Sequence, residues 1–564
     1  MLTIQQALAR HQAGDPAAAV PVYRQFLAAN PNHGEVHHLL GVALFQVGEL
    51  DEALRHLEAA VRGAPDNPDW LANLGLVRFH AGDLAGARAA CERALAVNPQ
   101  DADAHNNLGL ALCQLGDLPG AVSHFRLALD LGGPNPQVLH NLGAALHTRG
   151  DLAEARAVLE DANRRADGQP DTLASLAAVH YDLGDAEAAF RACWDAVRLD
   201  PFHTDAHDCF KNLKWEQGRE AEMHDTYRWA CETVPDHPAT HLQYGRALVA
   251  DGRFDRAEPV FRRVLTLDPA AARGHSGLGS ALSGLGRHDA ALVAHARAAD
   301  LAPDDAEILE AQGEALLRAR RFAEAVAPLS IAHRNNPRRS AVLGWLTVAM
   351  TEAGDAGVDA FVDYEGDVTT REITPPDGFA EIAAFNEALH RELAERHKDR
   401  PPPIAQTMTG GTQIPGNLFE NATGHVAELR DAVSAAVRTY VAGLRRDPGH
   451  PFLRFANADF RFTGAWSTIL QGAGYDASHI HNDGWLSGVY YVKVPDLPED
   501  RWAAGEGCLQ FGAPPDFYIS ERNVTRRVIR PRPGLLVLFP SYLWHGVQPF
   551  KQPGLRHAVS FDLI

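Results

Sequence analysis

The chain has 564 residues, more than one hydrophobic core usually organises, so two or more domains are expected. Lys and Arg total 52 against 72 Asp and Glu, a formal charge of −20 that argues against a general nucleic-acid or anionic-membrane binder. Six cysteines (Cys91, Cys113, Cys193, Cys209, Cys231, Cys508) are scattered without C-x-x-C spacing and fall mostly in helical patterns, which points to buried free thiols rather than a disulfide framework or a zinc site.

The opening segment "MLTIQQALARHQAGD" lacks a basic stretch followed by a long apolar one, and no apolar run approaches the roughly eighteen residues of a membrane span. A soluble, cytoplasmic protein with no membrane partner is the expectation. Glycine then sets a ruler: Gly14, Gly48, Gly82, Gly116, Gly150, Gly184, Gly218, Gly252 and Gly286 recur at a constant step of 34. A second series, Gly41, Gly75, Gly109, Gly143, Gly245, Gly279 and Gly313, keeps the step, with Ala177 and Lys211 at its two gaps. A third runs from Pro31 to Pro337, slipping to Pro134 and Pro170 at two junctions.

This punctuation resembles tetratricopeptide repeats, in which a small residue lets helix A pack closely on helix B, a glycine turns the corner and a proline starts the next unit. Gly245, Ala257, Phe261 and Pro269 occupy those places, as do Gly109, Ala121, Phe125 and Ala128. About ten helix pairs are predicted to residue 337, with "SAVLGWLTVAMTEAG" as a closing helix. The resemblance implies an extended groove for a peptide or protein. Asn73, Asn107 and Asn141 stand two residues before the packing glycines, one repeat apart. In the O-GlcNAc transferase superhelix, which these segments resemble, asparagines so placed form a ladder that hydrogen-bonds an extended peptide. The three are therefore candidate substrate-binding residues; the alternative is solvated polar positions of helix A.

After Gly354 the period ends, and "DYEGDVTTREITPPDGF" reads as a linker or entry strand. Two amphipathic helices follow, then short β-rich runs divided by Gly and Pro, the pattern of a β-barrel or jelly roll. The expected layout is an α-solenoid over 1–354, a linker over 355–374 and a double-stranded β-helix (jelly-roll) domain over 375–564. In "SHIHNDGWLSGVYYV", His479, His481 and Asp483 fall at alternate positions, and alternate residues of a strand share a face. "FPSYLWHGVQP" ends an apolar strand at His545, and Arg556 opens the last one.

H-x-D, a distal His and an Arg some ten residues later resembles the ordering of Fe(II)/2-oxoglutarate-dependent dioxygenases. "TGGTQIPGNLF", "GAWSTIL", "HIHNDGWLSGVYYVKVP" and "LFPSYLWHGVQPF" are together similar to the bacterial and phage 2OG-Fe(II) oxygenases related to prolyl 4-hydroxylases. The resemblance implies two histidines and a carboxylate (His481, Asp483, His545) holding Fe(II) on one octahedral face. It also implies Arg556 on the far carboxylate of 2-oxoglutarate, and dioxygen at a remaining position. Members of that group commonly carry H-x-H-P, so an all-histidine set with His479, and Asp483 beside it, stays open; Asn482 stands where the proline would. Tyr490 and Tyr491 face opposite ways, and Tyr491 shares parity with His479 and His481, which makes it a candidate for the cosubstrate pocket. Trp485 and Trp544 read as packing beside the site, and Gln413 and Asn417 belong to the family-like loop segment. The implied activity is hydroxylation of a side chain on a recruited peptide or protein, as in aspartyl/asparaginyl hydroxylases that also carry these repeats. Against it stand a small or carrier-bound substrate with the repeats as a docking scaffold, and a non-catalytic scaffold or sensor.

Overall fold

The computed structural model describes residues 3–166, 168–397, 408–414, 417–420, 422–456, 460–482, 484–514, 522 and 525–564. The chain divides into two compact units, 1–213 and 214–564. No helix among the described residues is long and apolar enough to cross a membrane.

The first unit is built of antiparallel helix pairs such as Gly34–Gln46 with Leu50–Gly63 and Ala102–Gln114 with Leu118–Gly132. Two devices recur. At the corner between the helices, glycines such as Gly48 (φ 85°) take the left-handed conformation that costs a residue without Cβ little. In helix A, the packing glycine brings the backbones together: a Cβ on Gly109 would lie 2.6 Å from the Phe125 ring.

The second unit continues with pairs such as Pro238–Ala250 with Phe254–Leu267 and Ala306–Arg318 with Phe322–Asn335, then the closing helix Ser340–Ala353. Ten helix pairs precede that helix among the described residues. One step of 34 beyond Gly286 stands Arg320, which holds the same left-handed corner (φ 58°) without being glycine.

The strands of this unit are β1 (Thr369–Glu372), β2 (Met408–Ile414), β3 (Phe462–His479), β4 (Leu486–Lys493), β5 (Leu509–Phe511), β6 (Arg527–Ile529), β7 (Leu535–Pro540), β8 (His545–Val547) and β9 (Leu555–Leu563). They form one curled antiparallel sheet in the order β1-β7-β4-β9-β3-β8-β5-β6, with β2 also on β3, consistent with a jelly roll. The stretch read as linker or entry strand thus supplies β1, paired with β7. β4 and β7 are buried on both faces and read as near-continuous apolar runs, and the helix Ile382–Arg396 packs against β4. β3 bends at Gly472, Ala473 (φ 68°) and Gly474, and the bend carries its last residues over to β8.

Candidate metal centre

Strand register builds the cluster. His479 on β3 lies directly across from His545 on β8, and His481 follows two residues beyond His479. The His479 and His481 rings are parallel within 11° with centroids 5.3 Å apart, and those of His479 and His545 are 4.4 Å apart. One ring nitrogen from each of the three lies within 4.8 Å of the others.

The other ring nitrogens are occupied. Nδ1–H of His479 donates to the Ala477 carbonyl (2.8 Å), and Nδ1–H of His545 to the Leu543 carbonyl (2.9 Å), each two residues back along the chain. Nδ1 of His481 bonds Oδ1 of Asp562 on β9. With the rings neutral, these bonds fix the tautomer and leave three Nε2 lone pairs for a common guest. Burial, then the neighbouring His479 and His481, hold His545 well below the ordinary imidazole range, so it is neutral and able to ligate. His481 goes the other way: burial opposes its charge, but the Asp562 carboxylate outweighs burial and raises it. Ser487 Oγ–H donates to the same Asp562 oxygen at 2.6 Å and lies 2.8 Å from Ser541 Oγ, so the carboxylate is held from two sides.

Asp562 escaped the sequence reading, although a signal was there. Arg556, Ala558 and Ser560 line the cavity beside the histidines, and Asp562 continues the alternation on β9. Asp483 lies outside the described residues.

Arg556 opens onto the same cavity. It is 3 % exposed, its guanidinium carbon sits 4.9 Å from the centre of the Tyr491 ring, and Nη2–H donates to the Tyr491 hydroxyl at 3.3 Å. Its Nε has no partner, and no carboxylate pairs with it among the described residues. A buried cation without an anion is costly, and a guest that carries a carboxylate would offset that cost in this pocket. Tyr490 points the other way and donates its hydroxyl to Asn386 (2.5 Å).

The remaining named residues serve the frame. Trp485 stacks on Phe452 and donates Nε1–H to its carbonyl (2.7 Å). Gln413 pairs with Thr468 across β2 and β3, and Asn417 donates to the Phe462 carbonyl (3.2 Å). In the first unit each asparagine amide reaches back 35 residues to the preceding repeat. Asn73 meets His38 Nε2 (3.0 Å), Asn107 donates to the Ala72 carbonyl (3.3 Å), and Asn141 donates to Asn106 (2.9 Å). A ladder is present, and it runs between repeats.

Residues 464–562 match the family model described as "Putative 2OG-Fe(II) oxygenase", and residues 10–75, 73–136, 136–161 and 242–306 match models described as tetratricopeptide repeat. The chain joins tetratricopeptide repeats to a 2OG-Fe(II) oxygenase domain. The oxygenase match spans β3 to β9 and so contains all three histidines, Arg556 and Asp562. The repeats are similar to those of PilF from Pseudomonas aeruginosa (21% identity, 35% of this chain and 90% of that one, TM-score 0.31). They are similar also to YrrB, described as a TPR protein with an unusual peptide-binding site (20% identity, 33% and 95%, TM-score 0.27). Yeast Tom70 matches at 12% identity over 62% of this chain and 95% of its own, with a TM-score of 0.35. Comparison with curated proteins gives no match.

Proposed function

We propose that this protein is an Fe(II)- and 2-oxoglutarate-dependent dioxygenase that hydroxylates a side chain of a peptide or protein held by its repeats. One observation carries the reading: three imidazoles with Nδ1 engaged share a cavity with a buried arginine that no carboxylate among the described residues pairs with. His479, His481 and His545 would hold Fe(II), which suits imidazole donors, with the negative charge supplied one bond further out by Asp562. When bound, iron and 2-oxoglutarate supply an oxidation in which dioxygen gives one oxygen atom to succinate, released with CO2, and the other to the substrate as a hydroxyl.

The chain's own residues bind and orient. Arg556 offers a planar fork to the distal carboxylate of 2-oxoglutarate, braced by the Tyr491 ring and hydroxyl. Ala558 and Ser560, small residues on β9, leave room between that fork and the histidines. The buried apolar walls at Phe539 and Leu509 limit water. The set His481, Asp483 and His545, which the order of residues in the sequence favours, is the competing ligand assignment.

Joining a docking array to a reactive centre raises the local concentration of a weakly held target, which favours a peptide or protein over a free small molecule. The test is succinate formation from 2-oxoglutarate by the full chain with Fe(II), ascorbate and air, with and without candidate peptides. Turnover that His545→Ala abolishes supports the oxygenase. Failure of the wild type to bind Fe(II) and 2-oxoglutarate anaerobically overturns it in favour of a scaffold. His479→Ala losing metal while Asp483→Ala retains it supports the three-histidine set; the reverse pattern supports the carboxylate set.

A further inference from the structure

The closing helix Ser340–Ala353 does not end the repeats as a solvent-facing cap. A terminal capping helix keeps a polar outer face, whereas here nearly every residue from Ser340 to Met350 is buried, as in a helix covered all round. One side rests on Phe322–Asn335, and Arg339 just ahead of the helix bonds Glu310 of the preceding repeat (2.5 Å). What covers the other side is the pair of segments that carry the histidines.

The contacts are specific. Ser340 Oγ–H donates to the Gly484 carbonyl, and the Ala341 amide donates to the Asn482 carbonyl (3.3 Å), so the first turn holds the chain just after His481. Trp544, next to His545, donates Nε1–H to the Gly344 carbonyl (3.0 Å), and its ring meets that of Trp345 at 4.6 Å. Gly344 is where the helix touches both segments: a Cβ there would lie 2.7 Å from Ile480 Cδ1, between His479 and His481, and 3.1 Å from the Tyr542 carbonyl oxygen. The two segments are also tied to each other, the His481 amide donating to the Ser541 carbonyl (3.0 Å).

The geometry points to the closing helix as part of the metal centre's scaffold, with Ser340, Gly344 and Trp345 as positioning residues that set the spacing of His481 and His545. The inference rests on the reading of the three histidines as the metal site. It makes the last repeat element and the oxygenase domain one mechanical piece, because the helix carries hydrogen bonds to both histidine segments and the adjacent Arg339 ties its start to the preceding repeat.

The test is an anaerobic Co(II) titration of the full chain, followed by visible absorption, which reports both affinity and ligand geometry. Ser340→Ala and Trp345→Ala are expected to weaken Co(II) binding about ten-fold, the low end for outer partners of metal ligands, and to shift the absorption bands, with helix content unchanged at the temperature of the titration. Trp345→Phe, which keeps a ring against Trp544, should restore most of the affinity. Wild-type affinity and spectrum in both Ser340→Ala and Trp345→Ala, while His545→Ala loses Co(II), overturn the inference and leave the metal site standing. Wild-type binding by His545→Ala overturns the histidine site and this inference with it. If Trp345→Ala does not fold, Ser340→Ala, which removes one hydroxyl, decides alone.

Discussion

Asp562, on the last strand, and His481, two residues past the end of the long β3, are joined through Nδ1 of the imidazole and Oδ1 of the carboxylate. The bond makes the final strand a support for the cluster as well as for Arg556, six residues earlier on the same face. Asp562→Asn keeps an acceptor for Nδ1–H and removes the charge. Metal affinity should fall about 10- to 100-fold with the fold intact, as measured by anaerobic Fe(II) titration.

Among the described residues no anion accompanies the buried Arg556, and its burial and its proposed hold on 2-oxoglutarate predict opposite effects of one substitution. Arg556→Met should cost about 3 kcal/mol in 2-oxoglutarate binding, on the order of 100-fold, by isothermal titration of the metal-loaded protein under nitrogen. The same variant should match or exceed the thermal stability of the unloaded protein, because a buried unpaired cation is replaced by an apolar side chain of similar length.

Acid should weaken the second unit through a histidine away from the candidate metal centre. His557, fully buried on the far side of β9, lies between His390 (2.8 Å) and Ser467 (2.8 Å), and burial, then His390, His397 and Lys493, push its pKa down to about 2. The unfolded chain takes up that proton near pH 6.5 and the folded one does not, so stability is complete above 6.5 and declines as pH falls toward 2. Between pH 7 and 5 the loss is about 2 kcal/mol for this residue. Urea unfolding at the two pH values should show it, and His557→Gln should flatten the difference by a similar amount.

Arg320 occupies a left-handed corner that glycine fills at the equivalent place in the earlier repeats. Arg320→Gly should stabilise the second unit by on the order of 1 kcal/mol, read as a higher urea midpoint at unchanged slope. An unchanged midpoint would mean that the Arg320 guanidinium on the Phe322 ring, 5.6 Å away, offsets the backbone cost.

Asn107 is buried, and its amide is spent on the preceding repeat. Asn107→Ala should lower the stability of the first unit by about 1 kcal/mol. A variant that unfolds like wild type but loses affinity for a peptide partner would return this asparagine to the groove.

The repeat period was fully legible because each unit solves the same packing problem with the same residues: glycine under Phe125 or Phe261, glycine at the corner. Where the solution changed, the sequence fell silent, as at Arg320, whose side chain gives no hint of a positive φ. The histidines were legible from the two-residue period of a strand. Asp562 obeyed that period too, but a lone carboxylate near a chain end names no partner until β9 is seen beside β3. For the asparagines, recurrence showed one place in each repeat without showing direction, and the 35-residue reach to the preceding helix is a matter of how repeats stack. "SAVLGWLTVAMTEAG" was legible as a closing helix over the last pair, and only the sheet shows that its other side is covered too.

The contacts of Ser340–Ala353 also bear on how such a chain can change its length. A repeat touches only its neighbours, so whole units can be gained or lost upstream of Ala306–Arg318 without disturbing the helix that follows. A deletion that removes the final pair, or swaps in a foreign last unit, alters the floor beneath His481 and His545. The array is therefore open-ended on one side and fixed in register on the other, and duplications should accumulate in its early members while the last is inherited together with the oxygenase domain.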